Sequence, residues 1–145
     1  MTFATAWERI ETQLQALGLE EYNYRVSLNT MEEATGHGNF DIGYQIRLVD
    51  GPIPYREIAV DPTLWESIVE IQLGKQIENY EKEHLAHQTL AIRMEKLVKN
   101  IAYEDYPEIC MFIWDSKPKT STRDGSKLVM TGRFRLVYYS EVSIP

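Results

Sequence analysis

The chain has 145 residues, 43% of them hydrophobic, and its 15 Lys and Arg stand against 22 Asp and Glu for a net charge of −7. A chain of ~100–150 residues buries roughly two-thirds of its unfolded surface, so a single domain is expected to fold around its own core without disulfide or metal staples. The only cysteine, Cys110, excludes an intramolecular disulfide and any Cys-built zinc site, and fits a reducing compartment.

The acidic balance works against wrapping nucleic acid, because non-specific binding to a polyanion draws its strength from Lys and Arg at phosphates. The longest apolar run, Ile109 to Trp114, falls far short of the ~18–20 residues that a spanning helix needs, so no membrane segment is expected. The opening Met1-Thr2-Phe3 shows neither the basic nor the apolar region of a secretory signal, so the protein is expected to be made in the cytoplasm.

Phe3, Trp7, Ile10, Leu14 and Leu17 recur at spacings of 4, 3, 4 and 3, which predicts an amphipathic helix from Phe3 to Leu17. Thr2 or Thr5 is placed to cap its start, and Gly18 lies where a left-handed residue ends a helix. From Tyr24 the period becomes two: Tyr24, Val26 and Leu28 alternate with polar residues and predict a half-buried strand. A polar stretch from Thr30 to Asn39 leads to the clearest strand, in which Phe40, Ile42, Tyr44, Ile46 and Leu48 alternate with Asp41, Gly43, Gln45 and Arg47. Gly51-Pro52-Ile53-Pro54 is expected to break that strand and begin a surface excursion, since proline donates no ladder hydrogen bond.

Trp65 to Ile77 reads either as a helix or as a strand. Gly74 weakens a helix interior and Val69-Glu70-Ile71-Gln72-Leu73 is β-branched alternation, so the strand is preferred, entered by one turn from Asp61 to Trp65. Ala86, Leu90, Met94, Leu97 and Ile101 then mark a long helix from Glu83 to Ala102, stopped before Pro107. Ile109 to Trp114 has strand length, Asp115 to Ser126 reads as a polar loop, and Lys127 to Ser140 alternates again as a closing strand. The order α-β-β-β-α-β-β predicts a two-layer α+β domain, with a mainly antiparallel sheet packed against two helices. Trp7, Ile10, Leu14, Leu90, Met94 and Leu97 are its expected core against Phe40, Ile42 and Tyr44. The last strand is about twice as long as its predicted partner, and that overhang is expected to pair elsewhere in the sheet or with a neighbouring subunit.

Chemical motifs are sparse. His84 and His87 are three apart, whereas the metalloprotease pair is four apart with Glu after the first His, and Leu85 occupies that place. His37 lies in a glycine-flanked loop, Cys110 in an apolar run expected to be core, and Glu32-Glu33 reads as a solvated pair. No nucleophile elbow, phosphate loop or metal-ligand set appears, so no catalytic residue, metal or cofactor is expected and the chain is not read as an enzyme. Lys117, Lys119, Arg123 and Lys127 form the one basic feature, in or beside the last loop.

The N-terminal helix with Thr5-Ala6-Trp7-Glu8-Arg9-Ile10, the strand Phe40-Asp41-Ile42-Gly43-Tyr44-Gln45-Ile46, the strand Val69-Glu70-Ile71-Gln72-Leu73, the helix Ala91-Ile92-Arg93-Met94-Glu95-Lys96-Leu97-Val98 and the closing Gly132-Arg133-Phe134-Arg135-Leu136-Val137-Tyr138-Tyr139 together resemble the tail terminator (tail completion) proteins of tailed bacteriophages. The resemblance rests on element order and strand texture over nearly the whole chain. It implies a structural virion protein of the tail and neck: a hexameric ring that caps the finished tail tube and offers a joint to the head-side connector, with DNA only as passing cargo. Its interface candidates are then Lys117, Lys119, Arg123, Lys127, Arg133, Phe134 and Arg135, with Glu32, Glu33 and His37 in the Thr30–Asn39 segment. Another phage neck or head-completion protein, or a small-molecule-binding α+β domain, is the alternative.

Overall fold

A computed structural model describes residues 2–21, 42–55, 64–77, 83–123 and 127–140. Helix α1 (Phe3–Ala16) and helix α2 (Glu83–Glu104) accompany strands β1 (Glu20–Glu21), β2 (Ile42–Pro54), β3 (Leu64–Gln76), β4 (Ile109–Arg123) and β5 (Lys127–Tyr139). The five strands form one sheet in the order β1-β2-β3-β5-β4, parallel only between β1 and β2. The α+β class is as the sequence predicts, and so is the order of the elements from β2 onward. The expected strand at Tyr24 to Leu28 lies outside the described residues, as does Phe40; the two-residue β1 has no signal of its own in the periodicity.

Helix α1 forms for the reasons its sequence carries. The Thr2 carbonyl accepts from the N–H groups of Thr5 and Ala6, and the Thr2 N–H donates to Thr5 Oγ1 at 3.4 Å. At the other end Gly18 takes φ 80°, its N–H donates to Gln15 O at 3.0 Å, and the Leu19 N–H reaches Leu14 O at 3.3 Å. This is a Schellman stop, which needs a left-handed residue and brings Leu14 and Leu19 together in the core.

The core lies between the helices and one sheet face. Ala6, Ile10 and Leu14 of α1 and Leu90, Met94 and Leu97 of α2 are buried against Tyr44, Ile71, Leu73, Phe134, Leu136 and Tyr138. Buried Tyr44 also ties sheet to helix: its hydroxyl donates to Glu11 Oε2 at 3.2 Å and accepts from Gln15 Nε2 at 3.3 Å, and burial pushes its pKa up to about 12. A second tie holds α1 to the α2–β4 connection. The Arg9 guanidinium bonds the buried Glu108 carboxylate and lies 5.2 Å from the Tyr106 ring centre, while Gln13 Nε2 donates to Tyr106 Oη at 2.6 Å.

Five expectations are corrected. Gly51 to Pro54 does not break β2; the strand continues to Pro54 through register shifts opposite β3, because bulges absorb residues that cannot donate to the ladder. Asp115 to Ser126 is not a loop, since β4 runs to Arg123 with only 124–126 outside the described residues. It is an edge strand, so residues 115–120 are exposed on both sides and show no apolar alternation. Consequently the closing strand has no overhang: β5 pairs along its whole length with β3 and, through three register shifts, with β4. Cys110 is exposed, not core, because it sits in the register shift between Ile109 and Met111. Of the expected turn from Asp61 to Trp65, Leu64 and Trp65 are strand instead, and 61–63 lie outside the described residues.

Leu97 has no solvent exposure and faces the sheet. Replacing Leu97 by Ala is expected to cost about 2–5 kcal/mol through lost burial and a residual cavity. Denaturant unfolding measures this, and an unchanged midpoint would mean that this face of α2 is not packed.

Candidate functional site: two outer faces and a groove

The face of the sheet away from the helices has three zones. At one end Gln45, Gln72 and Val129 are buried. In the middle an ion-pair ladder crosses β2, β3 and β5: Arg47 Nε and Nη2 donate to the two oxygens of Glu70 at 2.8 and 3.1 Å, and Arg133 Nε reaches Glu70 Oε2 at 3.1 Å. Arg135 Nε donates to Glu66 Oε1 at 2.6 Å. Burial pulls the Glu70 carboxyl upward, but the bonds and charges of Arg47 and Arg133 outweigh it and hold the group below the usual carboxylate range. At the other end Ile53, Ile113 and Tyr139 are exposed, Ile53 to 54%, beside the Arg135–Glu66 pair and the buried Val137.

The outer side of the helix layer carries three apolar residues among polar ones such as Lys96 and Lys99. Leu85, Ile92 and Tyr103 are exposed, and their separations of 7 and 11 residues put them on one line along α2, opposite the core. Tyr103 is 86% exposed.

Between α2 and β4 lies a groove of about 580 Å³. Ala91, Met94 and Val98 form its helix wall, Trp114 and Pro118 its strand wall, and Met130 of β5 its floor. Trp114 lies over Gly132, where a Cβ would come within 2.7 Å of the indole Cζ3, and packs 4.3 Å from the Phe134 ring, which in turn stacks on Phe112 at 4.6 Å. Glycine at position 132 is therefore what lets the indole lie flat against β5.

The sequence-predicted residues are distributed over these features. Lys117 and Lys119 are exposed on β4, in the segment where two register shifts and Pro118 disturb its pairing. Arg123 and Lys127 face each other in register at the end of the β4–β5 hairpin. Arg133 and Arg135 sit in the ladder. Phe134 is fully buried against the helices and presents no surface to a partner. Glu32, Glu33 and His37 lie outside the described residues. His84 and His87 are exposed, and His87 stands at the rim of the groove. Among the described residues no group of three His, Cys, Asp or Glu is placed to hold a metal ion, and no helix is long and apolar enough to cross a membrane. The ladder and the groove have no signal in the sequence, because both depend on cross-strand register.

No family model matches the chain, and no curated protein matches it.

Glu70 and Glu108 are both held below the usual carboxylate range, Glu108 because the Arg9 bond and charge outweigh the upward pull of burial. A carboxylate of this kind stabilises the fold above its unfolded pKa, and that stability is lost as pH falls through the folded value. The melting temperature is therefore expected to drop below about pH 5, and to drop less steeply in Glu70→Gln and Glu108→Gln, each starting from a lower value at neutral pH. Equal acid sensitivity in wild type and both variants would contradict this assignment.

Proposed function

We propose that the chain is a structural protein of the tailed-phage neck, acting as a tail terminator: a ring, hexameric by the resemblance, that caps the completed tail tube and joins it to the head-side connector. The observation that supports this is that large apolar residues stand exposed on opposite layers, Leu85, Ile92 and Tyr103 on α2 and Ile53, Ile113 and Tyr139 on the far face of the sheet. A ring of identical subunits needs two different surfaces per subunit, because each contact is heterologous and closes only by rotation. A two-layer domain leaves the second face of its sheet uncovered, and a neighbour's helix is the element that covers such a face. Lys117 and Lys119, exposed on the edge strand, are then free to meet the acidic surface of the tube or connector.

Ile92→Glu combined with Ile113→Glu is expected to leave the monomer folded, since both side chains are about half exposed, and to abolish ring formation in solution or on tail tubes. Reversing the charge at Lys117, Lys119 and Arg123 should leave rings intact and weaken their attachment to the tube. Particle imaging gives the direct readout: without the chain, tails should vary in length and fail to join heads. Uniform, head-joined tails in its absence would overturn the proposal.

A further inference from the structure

The groove between α2 and β4 plays no part in the assembly reading, and its chemistry is specific enough to name a ligand class. Its volume of about 580 Å³ falls inside the ~300–1,000 Å³ range of small-molecule sites, as does its lining of apolar side chains with a few polar groups at the rim. Along α2 the wall residues His87, Ala91, Met94 and Val98 follow at spacings of 4, 3 and 4 and so form one helical ridge. From His87 to Lys99 that ridge extends ~18 Å, which makes the site elongated.

Two observations select the occupant. Glu95 and Lys99, both at the lip, pair with each other at 2.8 Å. Among the described residues that line the groove they are the only Asp, Glu, Lys or Arg, so a charged head group finds no unpartnered counter-charge there, whereas a neutral molecule needs none. The edge of β4 beside the groove is interrupted by register shifts from Trp114 to Ser116 and from Ser116 to Lys119, and by Pro118, which has no N–H to offer. An added peptide strand is blocked by such features. We propose that the groove binds a neutral, elongated, largely aliphatic small molecule, its chain along Met94, Val98 and Trp114 and its one oxygen function at the rim near His87 and Thr120.

The test is calorimetric titration of the protein with decanol, decanoate and decylammonium, each below its self-association concentration, with tryptophan emission followed in parallel. These three share a tail and differ only in head charge. Decanol is expected to saturate one site per chain, at least about tenfold more tightly than either ion, and to shift the emission of Trp114, a shift absent in Trp114→Phe. Ala91→Phe and Thr120→Phe each fill the groove, and each should lose the site; Thr120 is exposed on an edge strand, so the second variant keeps its fold. Three results would overturn the proposal. Equal binding of the ions removes the neutral class, the absence of saturable decanol binding removes the site, and unchanged binding in both filled variants places the alcohol elsewhere. If instead the filled variants lose association between copies and decanol never binds, the groove is a protein contact. Ring formation in the unmodified chain is read separately, so none of these outcomes is confused with failure of the assembly reading.

Discussion

The structure depends on β5 being enclosed. It is paired on one side with β3 and on the other with β4, and its side chains at Leu128, Met130, Phe134, Leu136 and Tyr138 supply the floor on which both helices rest. A strand in that position has its backbone donors and acceptors committed within the chain. Partner contacts must then come from side chains on the outer surfaces of the two layers, or from the edge strand β4, and the apolar residues exposed on α2 and on the far sheet face occupy those places.

The same enclosure explains the polar ladder. Once β5 lies between its neighbours in this register, Glu70 is opposite both Arg47 and Arg133, and one carboxylate serves two guanidinium groups on strands that never adjoin each other. The ladder contributes register more than energy, because exposed ion pairs are individually worth little, while a slip of one residue would send Phe134 and Leu136 to the outer face. Gly132 is a consequence at the core side. Trp114 lies over it on β5, and the indole it accommodates becomes a wall of the groove.

Much of this was legible in the sequence. The alternation in Val69-Glu70-Ile71-Gln72-Leu73 and in Leu128 to Tyr138 is strong because each strand has one buried face, and the helical stripes through Leu14 and Leu97 are strong for the same reason. The far half of β4 was illegible. A polar edge strand with exposed Lys117, Pro118, Lys119 and Thr120 has no buried face to impose a period, so it reads as loop until β5 is seen beside it. Cys110 and Phe134 show the matching error for sites: exposure at Cys110 comes from a local register shift, and burial at Phe134 from the placement of α2, neither of which residue type encodes. The groove needed Trp114 and Gly132 to be neighbours across two strands, which pairing alone reveals.

The measurement that bears most directly on this account is amide hydrogen exchange of the chain before and after it associates, in solution or on tail tubes. The account predicts that β5 exchanges slowest in the free chain and gains nothing on association. New protection should fall on α2 near Leu85 to Ile92 and on β4 near Ile113. Protection acquired along β5 itself would contradict it, because that strand would then have been open to a partner.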